Sequence, residues 1–417
     1  MDSQLKKRFA EPWQEFPRDF RILMGASFID RLGGALMFPF FGLYVSEKFG
    51  VGMIEVGIVF AIWAVTSQLG NVIGGGLTDK FGRKTIVMFG LVISAVSSIA
   101  MGLSADLNLF YITVAIAGTL GEIGHPAQQA MVADLLPEEQ RAQGYGVWRV
   151  VANLAVMFGP LIGGWMATGS YLSLFIADAI ASSITAGIVL MTLSETKPEL
   201  SDKKQGEGLL KTFSGYLSVF KDLIFMEFII ASIFVNVVYV QMNSTLPVFL
   251  RDVHHTPPST YGIILSINAG MVVVFQFWVT RKLSSVPPML MMALGTLFYL
   301  VGFGMYGFVS GFFMFAVAMV ILTIGELVVI PVAQALVAQF APEDMRGRYM
   351  AVYGIGWSIP FAIGPYLAGV VMETTDPNWV WFGSIFICAF AIFGFLHLQR
   401  SSGKALGNPM ILAKKES

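Results

Sequence analysis

Apolar positions run along this chain in twelve long blocks, and polar positions are mostly confined to the short gaps between them. A helix needs about 20 predominantly apolar residues to cross roughly 30 Å of hydrocarbon. Windows of that length predict spans at residues 21–46, 53–77, 84–104, 108–134, 142–168, 171–193, 222–250, 259–280, 287–308, 311–339, 347–372 and 379–398. The polar stretch SETKPELSDKKQGEG separates the sixth span from the seventh. It divides the chain into an N-terminal six-helix half (1–194), a cytoplasmic linker (195–221) and a C-terminal six-helix half (222–417). The segment LLKTFSGYLSVFKD places Leu209, Leu210, Phe213, Leu217 and Phe220 on one helical face. That pattern suits a helix lying in the membrane interface, or an extension of the next span.

Composition agrees with this plan. Of 417 residues, 55% are hydrophobic and 13% charged, too few charges to cover a soluble surface of this size. A formal net charge of −1 gives no footprint for nucleic acid. The first twenty residues are too polar for a signal peptide and read as a cytoplasmic lead-in. Lysine and arginine then orient the spans. Of the 26, only Lys48 and Arg251 fall on outer loops and only Arg31 and Arg149 inside spans, once the N-terminus is assigned to the cytoplasm; the other 22 face inward. Both termini are therefore expected in the cytoplasm, with the chain a multi-pass protein of the cell membrane.

The chain repeats itself. GEIGHPAQQAMVADLLPEEQR begins at Gly121, and GELVVIPVAQALVAQFAPEDMR begins at Gly325. Gly159-Pro160 recurs as Gly364-Pro365, and Arg141 as Arg346, both 205 residues later. Internal symmetry between two six-helix halves is a signature of many transporter folds, in which the halves rock about a central site. The expected fold class is thus all-α and integral to the membrane, with twelve helices in two pseudo-symmetric halves.

At Gly75 the chain reads GGLTDKFGRK. With Gly75, Asp79, Lys80, Gly82, Arg83 and Lys84 on the loop between the second and third spans, this resembles the loop motif of the major facilitator superfamily. GPLIGG, carrying Gly159, Pro160, Gly163 and Gly164 in the fifth span, resembles the antiporter motif of that superfamily's drug:proton antiporter branch. The sequence departs from the branch in three places. Ala155 replaces the antiporter motif's leading glycine, Ala115 stands where an arginine precedes Gly118, and the second-half loop VTRKLSS lacks the aspartate. The resemblance implies that Asp79, at the C-terminal end of its helix where the macrodipole disfavours an anion, pairs with Arg83 or with the N-terminus of helix eleven near Gly347. Gly75 would permit the close approach.

Several ionisable residues lie inside spans: Asp30 and Arg31 in the first, Glu122 in the fourth, Arg149 in the fifth and Glu326 in the tenth. Each costs about 2.5–3.5 kcal/mol on an insertion scale when charged, so it is expected to face a partner or a cavity. Glu122 and Glu326 hold matching places in the repeat. Pro126 deprives the carbonyl of Glu122 of its helical donor, and Pro331 does the same for Leu327, so both helices are expected to kink. Glu122 could pair with Arg31 or Arg149, carry a proton, or do both. His125, one turn on, shares its face. With no third ligand in the pattern, no metal site is expected. Asp178 in the sixth span has no evident partner in the sequence. Gln129, Asn153, Gln241, Asn243, Asn268 and Gln334 are candidates for lining a central cavity.

The expected function is secondary transport of small molecules by alternating access, without a cofactor and with protons as the coupling ion. Export of amphipathic or cationic compounds leads; a proton symporter or facilitator for a nutrient is the alternative. Four scattered histidines and one cysteine supply no enzyme's nucleophile or metal set, and a two-half repeat disfavours a channel. The expected partners are a small-molecule substrate and the bilayer, with a monomer as the working unit. Glu122 or Asp30 is expected to carry the proton, and Glu326 to meet the substrate or tune a gate.

Overall fold

The computed structural model describes residues 15–196, 218–283, 286–342 and 345–402. Among these there is no β-strand, and twelve helices are long and apolar enough to cross a membrane. The predicted interfacial face at 209–217 lies outside the described residues.

The first span, α1, runs Arg18–Met37 and continues through a 3₁₀ turn at Phe38–Phe40 into Phe41–Phe49. Pro39 is the cause, because it removes a backbone donor just after Met37. Then come α2 (Met53–Phe81), α3 (Arg83–Leu103) and α4, which is broken: Leu107–Ile116, a π turn at Ala117–Gly121, and Gly124–Asp134. α5 (Glu138–Ala167) and α6 (Leu172–Thr192) complete the first six. The second six are α7 (Leu223–Ser244, extended by Leu246–His254), α8 (Pro258–Leu283), α9 (Pro288–Met305), α10 (Phe312–Phe340), α11 (Arg346–Thr374) and α12 (Trp379–Ser402).

The two proline expectations divide. In α4 the carbonyl of Glu122 accepts from His125 N at 3.2 Å rather than from the missing donor at Pro126, and the helix breaks. α10 runs unbroken through Pro331. Glycines explain why the first passage tolerates the break. A side chain at Gly70 or Gly74 of α2 would collide with the carbonyls of Thr119 and Ile123, so α2 lies directly against the distorted stretch.

Two compact units emerge. One comprises Met1–Tyr44, Ile62–Leu200 and Pro257–Ser266; the other Val45–Ala61, Ser201–Thr256 and Ile267–Ser417. The first turns of α2 and α8 thus group apart from the rest of their helices. In the first unit α1 packs on α5 and α6, and α3 packs on α4 and α6. Phe20, Leu23, Val87, Ala127, Met131 and Val189 bury one shared core there. In the second unit α9 packs on α10 and α12, and α7 on α11 and α12. Trp381, Tyr299, Tyr306, Phe225 and Phe228 are almost wholly buried in it.

The motif on the loop between α2 and α3 builds a strut within the first unit. Gly82 takes φ of +97°, a conformation open to glycine, and leads into α3 without a side-chain cap of its own. Glu195, beyond α6, supplies that cap: its Oε1 accepts from Arg83 N at 2.7 Å and Lys84 N at 3.2 Å. Lys84 reciprocates, donating through Nζ to the carbonyls of Leu190 and Leu193 at 2.9 and 2.7 Å. An anion at a helix N-terminus and a cation at a helix C-terminus are both favoured by the backbone dipoles. Arg83 Nε reaches Asp134 Oδ2 at 3.1 Å, and Thr196 donates to the same oxygen. Lys80 lies exposed beside the Phe81 ring, 5.2 Å from its centroid. The side chain of Asp79 lies outside the described residues. A Cβ built at Gly75 or Gly347 meets nothing within 4 Å, so neither glycine is required by close packing here.

Candidate functional site

A cavity of about 420 Å³ opens within the first unit, between α1, α2, α3, α4 and α6. Asp30 and Arg31 of α1, Glu122 and His125 of α4, and Asp178 of α6 line it. Of the six candidates for proton coupling, Asp30, Arg31, Glu122 and His125 therefore meet in one place, joined by Asp178. Glu326 lies in the second unit, and Arg149 stays outside the cavity too. It is exposed on α5, while its neighbour Trp148 turns inward. The Arg31 guanidinium sits over the Trp148 ring, 4.7 Å from the centroid. One residue along a helix is about 100° of rotation, which separates the tryptophan that meets the cluster from the arginine that does not.

The expected pairing of Glu122 with Arg31 takes the form of charges facing across the cavity: Arg31 is within electrostatic reach of Asp30, Glu122 and His125. Among the described residues it forms no ion pair, and its Nε has no hydrogen-bond partner.

Serine hydroxyls hold two of the acids. Ser182 Oγ donates to Asp30 Oδ1 at 3.0 Å and approaches Ser94 Oγ at 3.4 Å. Ser98 Oγ donates to Asp178 Oδ2. Asp178 thereby gains the partner that the sequence left unassigned, and it is itself within electrostatic reach of Asp30. A signal was present: Ser94 and Ser98 of α3, and Asp178 and Ser182 of α6, are each spaced one turn apart in otherwise apolar helices. Gly33 makes the arrangement possible. A Cβ there would stand 2.8 Å from Asp178 Oδ1 and 3.1 Å from Asp178 Cα.

The antiporter-like motif also has a packing role. Side chains at Gly159 and Gly163 would strike Ala35 and the Leu36 carbonyl, so α5 lies directly on α1 just beyond the Asp30-Arg31 pair. Pro160 is buried with them. Gly164 instead faces Pro258 and Gly262 in the first turns of α8, which belong to the same unit.

The six candidates for the cavity lining scatter. Gln129 and Gln334 are exposed, and Asn153 and Asn243 are half-buried. Gln241 is buried and spent on its own helix, donating to the Val237 carbonyl and accepting from Thr245 Oγ1 at 2.5 Å. Asn268 belongs to a separate cluster in the second unit, where its Nδ2 donates to Thr323 Oγ1 at 3.0 Å and to Glu326 Oε2 at 2.6 Å. Tyr239 Oη donates to the other oxygen of Glu326 at 3.1 Å. Only 8% of Glu326 is exposed, so this acid is sealed where Glu122 lines a cavity. Gln128, buried about one turn beyond His125, lines the cavity of the first unit. Among the described residues no three His, Cys, Asp or Glu side chains close tightly enough to hold a metal ion.

Sequence comparison decides the family. Residues 23–308 and 286–410 match the Major Facilitator Superfamily. The chain belongs to that superfamily, and it is a transporter rather than an enzyme. A Na(+), Li(+), K(+)/H(+) antiporter of Planococcus maritimus is 27% identical over 415 residues, covering 92% of this chain and 96% of the relative. The multidrug resistance protein MdtH of Escherichia coli O157:H7 is 22% identical over 385 residues, covering 90% and 93%. The fold is shared with the nucleoside transporter NupG at a TM-score of 0.78 and 15% identity, over 91% of this chain and 99% of NupG. A bacterial homologue of the lysosomal transporter Spinster superposes at 0.73 and 14% identity, over 91% and 96%.

Proposed function

We propose that this protein is a proton-coupled antiporter that exports small cationic or amphipathic compounds in exchange for protons. One observation carries the reading: Asp30, Glu122 and Asp178 line a single cavity against one arginine. Three ionised carboxylates facing one guanidinium leave an uncompensated excess of negative charge in a membrane interior, where each unpaired ion costs several kcal/mol. The cluster must therefore hold protons or a cation. A site that can hold either, and not both at once, couples the exit of one to the entry of the other. That is antiport by competition.

Glu122 and Asp30 are assigned the exchanging proton. Among the described residues no donor reaches the Glu122 carboxyl group, which sits beside the break in its helix, and one serine ties Asp30. The Planococcus relative exchanges Na(+), Li(+) and K(+) for H(+), and MdtH is a multidrug resistance protein. These relatives support cations, inorganic or organic, as cargo. The assigned site is the cell membrane, with both termini inside and a monomer as the working unit.

The test uses purified protein in proteoliposomes with an acidic interior and an internal pH dye. Addition of NaCl, LiCl, KCl or a lipophilic organic cation outside should collapse the gradient in wild type. Asp30→Asn and Glu122→Gln should abolish the response. Failure of every cation to move protons through the wild-type protein would overturn the reading.

A further inference from the structure

The second copy of the repeated passage places its acid in surroundings unlike those of the first. We propose that Glu326 is a second proton-binding site, independent of the cavity in the first unit, and that it rests as the neutral acid.

Every element around Glu326 presents an uncharged group. α7 contributes Tyr239 and α8 contributes Asn268, both hydrogen-bonded to the carboxyl group. α9 contributes Tyr299, whose ring lies 5.8 Å from that of Tyr239 and whose hydroxyl is within electrostatic reach of Glu326. Tyr353 of α11 and Cys388 of α12 stand around the same tyrosine. On α10 itself the neighbour is Thr323, fully buried, with its hydroxyl donating to the Met319 carbonyl at 2.6 Å. Among the described residues no lysine, arginine or histidine makes an ion pair with Glu326, and no second carboxylate acts on it. A buried carboxylate without a counter-charge is the costly case, and uptake of a proton removes the cost.

Two geometric details fit the neutral acid. The contact between the Asn268 amide and Glu326 Oε2 is 2.6 Å. That is shorter than the roughly 2.7–3.2 Å of N–H···O bonds and falls in the roughly 2.5–3.0 Å range of O–H···O bonds. With the amide turned over, a carboxylic O–H donating to the amide oxygen gives this spacing, provided that Thr323 Oγ1 then donates to that oxygen in place of the Met319 carbonyl. Tyr299 Oη is the second detail. It is buried without a hydrogen-bond partner beside the acid. A hydroxyl left over in a dry pocket is a costly remainder, and a side-chain rotation would let it accept the proton of Glu326 or donate to the emptied carboxylate. The proton can then be held in one state and its loss stabilised in the other.

A cavity in the same unit, lined by Asn236, Tyr353 and Trp357, has about 10 Å³, the room of one water molecule. Together with the proton exchanged at Asp30 and Glu122, Glu326 would raise the number of protons the protein can carry.

Infrared difference spectroscopy on the full-length protein, titrated from acidic to alkaline pH, reads protonated carboxyl groups directly through their C=O stretch and needs no cargo. A protonated-acid band should persist in the triple variant Asp30→Asn, Glu122→Gln, Asp178→Asn and disappear on adding Glu326→Gln. Asn268→Leu, of similar size, should shift that band because one hydrogen bond is lost, and so reports on the site even where Glu326→Gln fails to fold. A triple variant with no acid band at any pH, or a band unmoved by either Glu326→Gln or Asn268→Leu, would overturn the proposal. The outcome is separable from the antiport reading, because the band is measured without transport and the liposome response without Glu326.

Discussion

Two adjacent glycines of α1 offer a controlled perturbation of the acid cluster. A methyl group at Gly33 would stand 2.8 Å from Ala181 Cβ and from Asp178 Oδ1, and 3.1 Å from Asp178 Cα. The carboxylate could rotate away, but Asp178 Cα belongs to the α6 backbone and Ala181 Cβ is fixed to it, so both must move with the helix. Overpacking of this kind costs about 1–3 kcal/mol. Replacing a helical glycine by alanine returns up to about 1 kcal/mol through helix propensity. Gly33→Ala should therefore be destabilised by about 0–3 kcal/mol. A methyl at Gly34 meets nothing within 4 Å, so Gly34→Ala keeps the propensity gain alone and should be stabilised by up to about 1 kcal/mol.

The difference between the variants, about 1–3 kcal/mol, is the quantity to measure, since purification and detergent effects cancel between neighbours. Thermal unfolding in detergent, followed by intrinsic fluorescence, should place Gly33→Ala below wild type and Gly34→Ala at or above it. Gly33→Ala should also slow cation–proton exchange, because prising α6 from α1 separates Ser182 from Asp30 and shifts Asp178. Equal melting midpoints for the two variants would show that α1 and α6 are not in the described contact. A lower midpoint for Gly34→Ala would reverse the argument.

Further predictions follow from the struts around the cluster. Burial alone would raise the Glu195 carboxyl, but backbone N–H groups of Lys84, Arg83, Thr85 and Thr196 together hold it below the ordinary carboxylate range. A depressed folded-state value means that its contribution is complete above the unfolded value, about 4.3, and fades as pH falls through the folded one. Wild type should out-melt Glu195→Ala by at most about 1 kcal/mol near neutrality, the worth of an exposed cap, and the gap should close in acid; a constant gap would contradict the capping role. Arg31→Lys should not restore the exchange lost in Arg31→Gln, because an ammonium does not reproduce a guanidinium stacked on Trp148; full rescue by lysine would show that charge alone suffices. Labels introduced at Ser3 and Ser417 should both be shielded from impermeant reagents in intact cells, and labelling of either from outside would invert the topology.

The spans were legible because a membrane helix demands only length and apolarity, and those are local. α3 begins one residue from its predicted start and α6 ends one from its predicted end. Where boundaries move, a named residue moves them: α5 starts at Glu138, immediately after Pro137, because a proline there caps the helix without needing a donor. The break in α4 is written in Pro126. The intact course of α10 through Pro331 is not, since a helix surrounded by α9 and α11 is held by its neighbours as well as by its own bonds. The cluster was half legible. Asp30, Arg31, Glu122 and His125 announce themselves as polar atoms in apolar runs. The link between Asp178 and Ser98 spans 80 residues and exists only when α3 lies on α6. Arg149 misleads for the opposite reason: its chemistry suits the site, but its helix face does not.

The two copies of the repeated passage show how one change of backbone separates two equivalent acids. In α4 the carbonyl of Glu122 is held by His125 N, one residue short of the regular helical register, and the preceding π turn at Ala117–Gly121 is of the kind often found at functional sites. Pro126→Ala restores the absent N–H and lets the carbonyl of Glu122 find its usual partner. The helix would then tighten by about one hydrogen bond, worth about 0.5–1.5 kcal/mol, and the proline's own cost of about 3 kcal/mol in a helix interior would be relieved in part. Glu122 and His125 would rotate with the regularised turn, away from the cavity they now line. A variant that melts higher than wild type while exchanging cations for protons more slowly is the expected outcome, a trade of stability against activity of the kind found where function needs an irregular backbone. Unchanged exchange together with higher stability would mean that the break serves packing alone, and that Glu122 reaches its partners without it.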